Sequence, residues 1–167
     1  MPSNKISNFP LKKFPLAVVF IITLVASCNF NRVYEKNKNI TDDVWNHDEV
    51  LTFEVPVKDT LSPHNIYINI RNTGKYPRSN LFLFITTTSP MDFSVKDTFE
   101  CVLANKEGRW LGKGFGNVWS HQIIYKKHVR FPFSGYYTFE MEQAMRIEKL
   151  PGITDAGIRI EKVNVNN

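Results

Sequence analysis

The sequence predicts an all-β fold: an antiparallel β-sandwich of jelly-roll type with about eight strands, behind a short apolar N-terminal segment. Three observations point there. Apolar residues recur at period two in short runs, most cleanly where Ile66, Ile68 and Ile70 alternate with Tyr67, Asn69 and Arg71. Turn residues part these runs at close intervals, as in Ser62-Pro63-His64-Asn65, Thr73-Gly74, Ser89-Pro90 and Asn105-Lys106-Glu107-Gly108. Aromatic residues reach 13%, with thirteen Phe and six Tyr, a composition that suits pleated sheets. Long helical periodicity is missing, and the best short-helix signal covers residues 117–122.

The N-terminus comes first in chain order. Residues 1–13 are polar and hold Lys5, Lys12 and Lys13; residues 14–26 are apolar and uncharged. Thirteen helical residues reach only about 20 Å, short of the roughly 30 Å hydrocarbon core of a bilayer. That profile is a secretory signal peptide. Its end, Val25-Ala26-Ser27-Cys28, resembles the lipobox of bacterial lipoproteins. There the thiol receives diacylglycerol and cleavage makes Cys28 the first mature residue, with acyl chains that hold the product on a bilayer. Asn29 follows the cysteine, and the resemblance favours the outer membrane, facing the periplasm. Residues 1–27 are thus assigned to the signal peptide and residues 28–43, rich in Asn and charge, to a lipidated tether. The β-domain is expected over 44–163, with a disordered tail at 164–167.

Charge supports this division. The formal net charge is +5, but three of the lysines precede Cys28. The remainder carries 18 basic and 16 acidic residues, so a nucleic-acid partner loses its main support. If Cys28 is lipidated, Cys101 has no partner, and its alternating surroundings make it a small buried hydrophobe.

From Trp45 onward the strand signals follow in order. Leu51, Phe53, Val55 and Val57 alternate, as do Ile66 to Ile70. Asn80 to Ile85 is apolar on both faces, as a central strand covered on both sides would be, and Thr86-Thr87-Thr88 extends it. Phe99, Cys101 and Leu103 alternate again; residues 121–131 carry Ile123, Ile124, Tyr125, Val129 and Phe131. Tyr137, Phe139 and Met141, and finally Ile158 and Ile160, complete the set.

No catalytic or metal constellation emerges, and no cofactor is implied. His47, His64, His121 and His128 have no ligand spacing, and Ser120-His121 adjacency carries no triad meaning. Gly112, Gly114 and Gly116 around Lys113 invite a phosphate-loop reading, but the Walker pattern needs its Lys after the last Gly, followed by Ser or Thr. Glycines alternating in a strand instead permit a bulge or the close approach of a ring, and Trp110 and Phe115 would cover such a surface. Trp45, Trp110 and Trp119 fit either core packing or a sugar-stacking platform.

Three blocks carry a resemblance. Ile70-Arg71-Asn72 with Tyr76-Pro77 and Ser79 to Phe84 is the first; Leu103-Ala104 with Gly108-Arg109-Trp110-Leu111-Gly112-Lys113-Gly114 is the second. Gly135-Tyr136, Gln143-Ala144-Met145-Arg146, Leu150-Pro151-Gly152-Ile153 and Gly157-Ile158-Arg159 form the third. Together with the lipobox, their order and spacing over residues 28–162 resemble the GldH family of gliding-motility lipoproteins of Bacteroidetes. The resemblance implies a non-enzymatic envelope component, linked to the type IX secretion and motility machinery, whose partners are the bilayer and other gliding-motility envelope proteins. It brings no catalytic residues.

The residues themselves place an interaction surface at Arg71, Tyr76, Arg78, Trp110 and Trp119, because Arg, Tyr and Trp suit interface anchors. Arg146 reads as a buried, paired arginine. The rival from another class is a surface-exposed glycan-binding sandwich. Asp59-Thr60-Leu61 resembles an O-glycosylation acceptor of Bacteroidetes, with Thr60 as the modified residue.

Overall fold

A computed structural model describes residues 31–163. The segment 1–27 assigned to a signal peptide, Cys28 and the tail assigned to residues 164–167 lie outside the described residues.

Strand β4 (His64–Thr73) shows why a sandwich forms. Ile66, Ile68 and Ile70 all point to one side and are buried, whereas Tyr67 and Arg71 keep solvent access on the other. Each fully buried isoleucine contributes roughly 1.5–3 kcal/mol, so a flat sheet must find a second layer for this face. That layer is supplied by β3 (Leu51–Val57), β5 (Asn80–Thr88), β6 (Ser94–Val102) and β9 (Gly135–Gln143). They form a four-stranded sheet in the order β3-β9-β5-β6. Phe53, Val55, Leu81, Leu83, Ile85, Phe139 and Met141 meet the β4 isoleucines in one core.

The facing sheet has five strands: β1 (Arg32–Asn39), β11 (Ile153–Lys162), β4, β8 (Val118–Val129) and β7 (Lys113–Phe115), in that order. A separate pair, β2 (Val44–Asn46) with β10 (Lys149–Pro151), buries Trp45 and Leu150 completely. All pairings are antiparallel. Setting aside the three-residue strands leaves eight: β1, β3, β4, β5, β6, β8, β9 and β11. Counted along the chain, the first neighbours the eighth, the second the seventh, the third the sixth and the fourth the fifth. This is the winding of a jelly roll.

Four expectations change. The tether assigned to residues 28–43 contains β1, which pairs with β11 from Arg32 to Asn39, so the domain starts at least a dozen residues earlier than 44. The segment reads as polar because it is an edge strand with one open face, and its inner side is made partly of lysine stems: the Lys38 ammonium lies 5.7 Å from the Phe53 ring centre. Second, the short-helix signal at 117–122 falls on a turn residue, Asn117, and the start of β8, where pairing with β4 overrides local propensity. Third, β5 is central in its sheet but covered by a second layer on one face only. Its outer Phe82 and Phe84 are half-buried, Phe84 beneath the Lys96 ammonium at 4.7 Å. Fourth, Arg146 is exposed.

The chain's turns divide between two ends. Asn31 accepts a hydrogen bond from the Lys162 N–H (2.8 Å), Lys162 lies opposite His64, and His64 opposite Val129. The connections after β3, β5 and β8 therefore share the end at which β1 begins. The turns after β4, β6, β7 and β9 lie at the other end.

Candidate functional site

The outward face of the five-stranded sheet is where the sequence departs from simple burial. Register aligns Asn37, Gly157, Asn69 and Gln122 in one row across β1, β11, β4 and β8. Gly157 leaves its place in the row bare. The Asn69 amide crosses it, donating to Asn37 Oδ1 (3.2 Å) and Glu35 Oε1 (3.1 Å), while Gln122 Nε2 donates to Asn69 Oδ1 (3.3 Å). A Cβ at position 157 would overlap the Asn37 side chain and the Lys36 carbonyl, so only glycine admits this arrangement.

Charges flank the amides. Arg159 donates to Glu35 Oε2 at 3.0 Å and also pairs with Glu161; Arg32 donates to Glu35 at 2.9 Å. Desolvation alone would raise the Glu35 carboxyl, but the Arg32 hydrogen bond, the Arg159 charge and the Asn69 amide hold it below its ordinary value. On the other side Arg71 Nε meets Asp155 Oδ2 at 2.7 Å, with Asp155 almost wholly buried. The result is an open depression of about 750 Å³, bordered by Glu35, Asn69, Arg71, Lys113, Gln122 and Arg159. Asn69 is buried at its centre and ties the donors and acceptors together, while Glu35, Arg71, Lys113 and Gln122 face solvent, an arrangement suited to recognition.

The glycine-rich stretch completes one side, and its role is structural. A Cβ at Gly112 would sit 2.8 Å from His121 Nε2, and one at Gly114 would sit 3.0 Å from the Trp119 indole nitrogen. The glycines let this strand pass directly over both rings. His121 is buried, which pushes its imidazole below the usual value, and its Nε2 lies 2.8 Å from Asn72 Oδ1. Trp119 packs at a tilt against Trp110 with centres 5.6 Å apart, and Trp110 against Tyr76 at 6.4 Å.

The five residues expected to form an interaction surface thus separate. Arg71 borders the groove, and Arg78 is exposed on the turn after β4. Trp110 and Trp119 are half-buried against each other. Tyr76 is not a surface residue: it is 3% exposed, its hydroxyl donates to the Asn80 carbonyl (2.7 Å), and burial drives its phenol well above the ordinary value. A tyrosine before proline reads as a loop contact, whereas here it anchors the turn to the core. Trp45 is fully buried, so the three tryptophans do not form one platform.

Thr60 is half-buried in the loop after β3. Asp59 shapes that loop by accepting from the Leu61 and Ser62 amides (3.0 and 2.9 Å) and pairing with Lys162 (2.8 Å). Cys101 is buried, as its alternation implies, with its thiol pushed up to about 12 by desolvation and, secondarily, by Glu100. Among the described residues no group of three or more His, Cys, Asp and Glu side chains is placed to hold a metal ion.

Sequence reasoning missed Glu35, Asn37, Asn69, Gln122, Gly157 and Arg159. Two signals were available: the polar set Asn65, Tyr67, Asn69 and Arg71 opposite the buried isoleucines of β4, and the Gly157-Ile158-Arg159 stretch of the third block, to which no site role was given.

Fold and groove together define a jelly-roll β-sandwich domain with a preorganised polar sheet face. A family model described as GldH lipoprotein matches residues 32–160, and the chain belongs to that family. It is 39% identical to the gliding motility lipoprotein GldH homolog of Christiangramia forsetii over 151 residues, covering 86% of this chain and 92% of that protein. It is 36% identical to the gliding motility lipoprotein GldH of Flavobacterium johnsoniae over 146 residues, 83% and 90% of the two chains. Among solved structures, the subviral particle of infectious bursal disease virus VP2 aligns over 81% of this chain and 31% of that one, with a TM-score of 0.35 and 11% identity.

Proposed function

We propose that this protein is a non-enzymatic, lipid-anchored component of the gliding apparatus, attached through Cys28 to the periplasmic face of the outer membrane. It acts by binding other envelope proteins of the motility and type IX secretion machinery. The observation that carries this reading is the polar groove over Gly157: a rigid, solvent-open set of amides and ion pairs on a β-sandwich. Family membership supports the anchor and the motility setting. Confinement to a membrane raises the effective concentration of the groove toward partners in the same membrane, so modest intrinsic affinity suffices.

The test is crosslinking and pull-down from native envelopes with wild-type protein and with Gln122→Arg, Arg78→Glu and Trp110→Ala variants. Loss of the same motility proteins from the Gln122→Arg and Arg78→Glu samples, with cooperative unfolding retained, is the expected result. Full recovery of every partner by all three variants would overturn the placement. Protease shaving of intact cells separates this reading from outward glycan display: the expected result is protection.

A further inference from the structure

The end of the sandwich at which β1 begins carries an exposed apolar fringe. Met91 and Phe93, on the hairpin tip after β5, are 60% and 67% exposed. Phe133, on the turn after β8, is 39% exposed and lines the same shallow apolar groove as Phe93, together with buried Phe131 and Tyr137. The two loops are braced side by side, since Pro90 fills the space beside Gly135, whose φ of +134° admits no ordinary side chain. Lys58, Lys127 and Arg130 are exposed at the same end.

Chain length says what this fringe faces. Only Asn29 and Phe30 separate Cys28 from Asn31, and Asn31 is held to Lys162 at this end by the N–H···O bond already described. Three residue steps span at most about 10–11 Å. Because β1 is a strand and not a tether, an acylated Cys28 leaves the domain no room to turn this end away from the bilayer.

We infer that Met91, Phe93 and Phe133 dip into the headgroup region of the leaflet that holds the acyl chains, with Lys58, Lys127 and Arg130 on the phosphates. Exposed Asp92 stands between Met91 and Phe93, but Lys58, Lys127 and Arg130 outnumber it, and apolar and aromatic tips beside a net positive charge have the composition of an interfacial anchor. The contact fixes the sandwich upright. It points the turns after β4 and β6, with Arg78 and Trp110, away from the membrane. Leu61, 84% exposed, adjoins Thr60 on a third loop, where a sugar on Thr60 would lie among the headgroups. This inference rests on acylation of Cys28.

The test uses full-length mature protein extracted from cells and reconstituted into phosphatidylethanolamine–phosphatidylglycerol vesicles, with or without brominated phosphatidylcholine as a buried quencher. Phe93→Trp and, independently, Phe133→Trp place a reporter at the tips; the native tryptophans supply the background. The expected result is co-flotation with the vesicles and loss of most of the added emission in brominated lipid, with wild-type emission unchanged. Added emission that stays unquenched in co-floating protein at both positions overturns the inference while the anchor stands. Quenching that grows only with protein-to-lipid ratio marks a second copy on the fringe and also overturns it. Failure to co-float removes the Cys28 anchor and this inference together.

Discussion

Arg71 and Asp155 stand opposite each other across β4 and β11, Nε to Oδ2 at 2.7 Å, and the other Asp155 oxygen is buried without a hydrogen-bond partner. The pair couples the border of the groove to the packing of two central strands. Removing Arg71 strands a buried carboxylate, a change that costs about 3–5 kcal/mol for a fully buried pair. Arg71 is 45% exposed, so water recovers part of that loss and Arg71→Ala should cost about 1–3 kcal/mol. The double variant Arg71→Ala/Asp155→Asn should recover part of it. Urea unfolding of the four-member cycle measures the coupling, and additive effects would mean the pair contributes nothing to stability.

Gly157→Ala tests the row of amides. The added methyl meets Asn37 and the Lys36 carbonyl, so β1 must shift from β11. A destabilisation of about 1–3 kcal/mol is expected, typical of overpacking. Amide exchange should accelerate in β1 and the facing half of β11 while β5 and β9 stay protected. Uniform acceleration would mean that β1 is no separable edge.

Two buried histidines set the pH dependence. His64 and His121 both titrate below the usual imidazole value, first because burial disfavours the charged ring. The unfolded chain therefore binds protons that the folded chain refuses, and stability rises with pH in that window. It should be fully present above about pH 6.5 and decline toward pH 5, with at most about 1.4 kcal/mol per pH unit from each ring. Glu35 and Asp97, both held below their ordinary values, act in the same direction but only below about pH 4. Urea midpoints across the two windows separate the groups, and His64→Phe should reduce the slope in the upper one to the share of His121. His64 Nδ1 has no partner, so the substitution removes no hydrogen bond at that atom.

Trp119→Ala empties the space under Gly114 and beside Trp110. A fully buried tryptophan would cost 3–5 kcal/mol; half-buried, Trp119 should cost about 2–3 kcal/mol. The measurement is thermal unfolding, and a cost under 1 kcal/mol would contradict the packing role given to the glycines.

The sequence displayed seven of the eight principal strands because each carries apolar side chains into the core, most as a period of two and β5 as a continuous apolar run. β1 was hidden for the opposite reason: it is an edge whose outer residues, Glu35 and Asn37, belong to a polar row, and whose inner positions include Lys38. The glycine stretch could be read because steric demand is local. The groove could not. Asn37, Asn69, Gln122 and Gly157 come from four strands, and only the jelly-roll winding puts them in register. Tyr76 misled because a Tyr-Pro turn looks alike whether its ring faces water or, as here, the core.

Anchoring depends on the lipid on Cys28, and mass spectrometry of the N-terminal peptide of protein purified from envelopes reads that modification. The expected peptide begins at Cys28 and carries diacylglycerol on its sulfur. A mature protein that begins elsewhere, or one with a free Cys28 thiol, would contradict it.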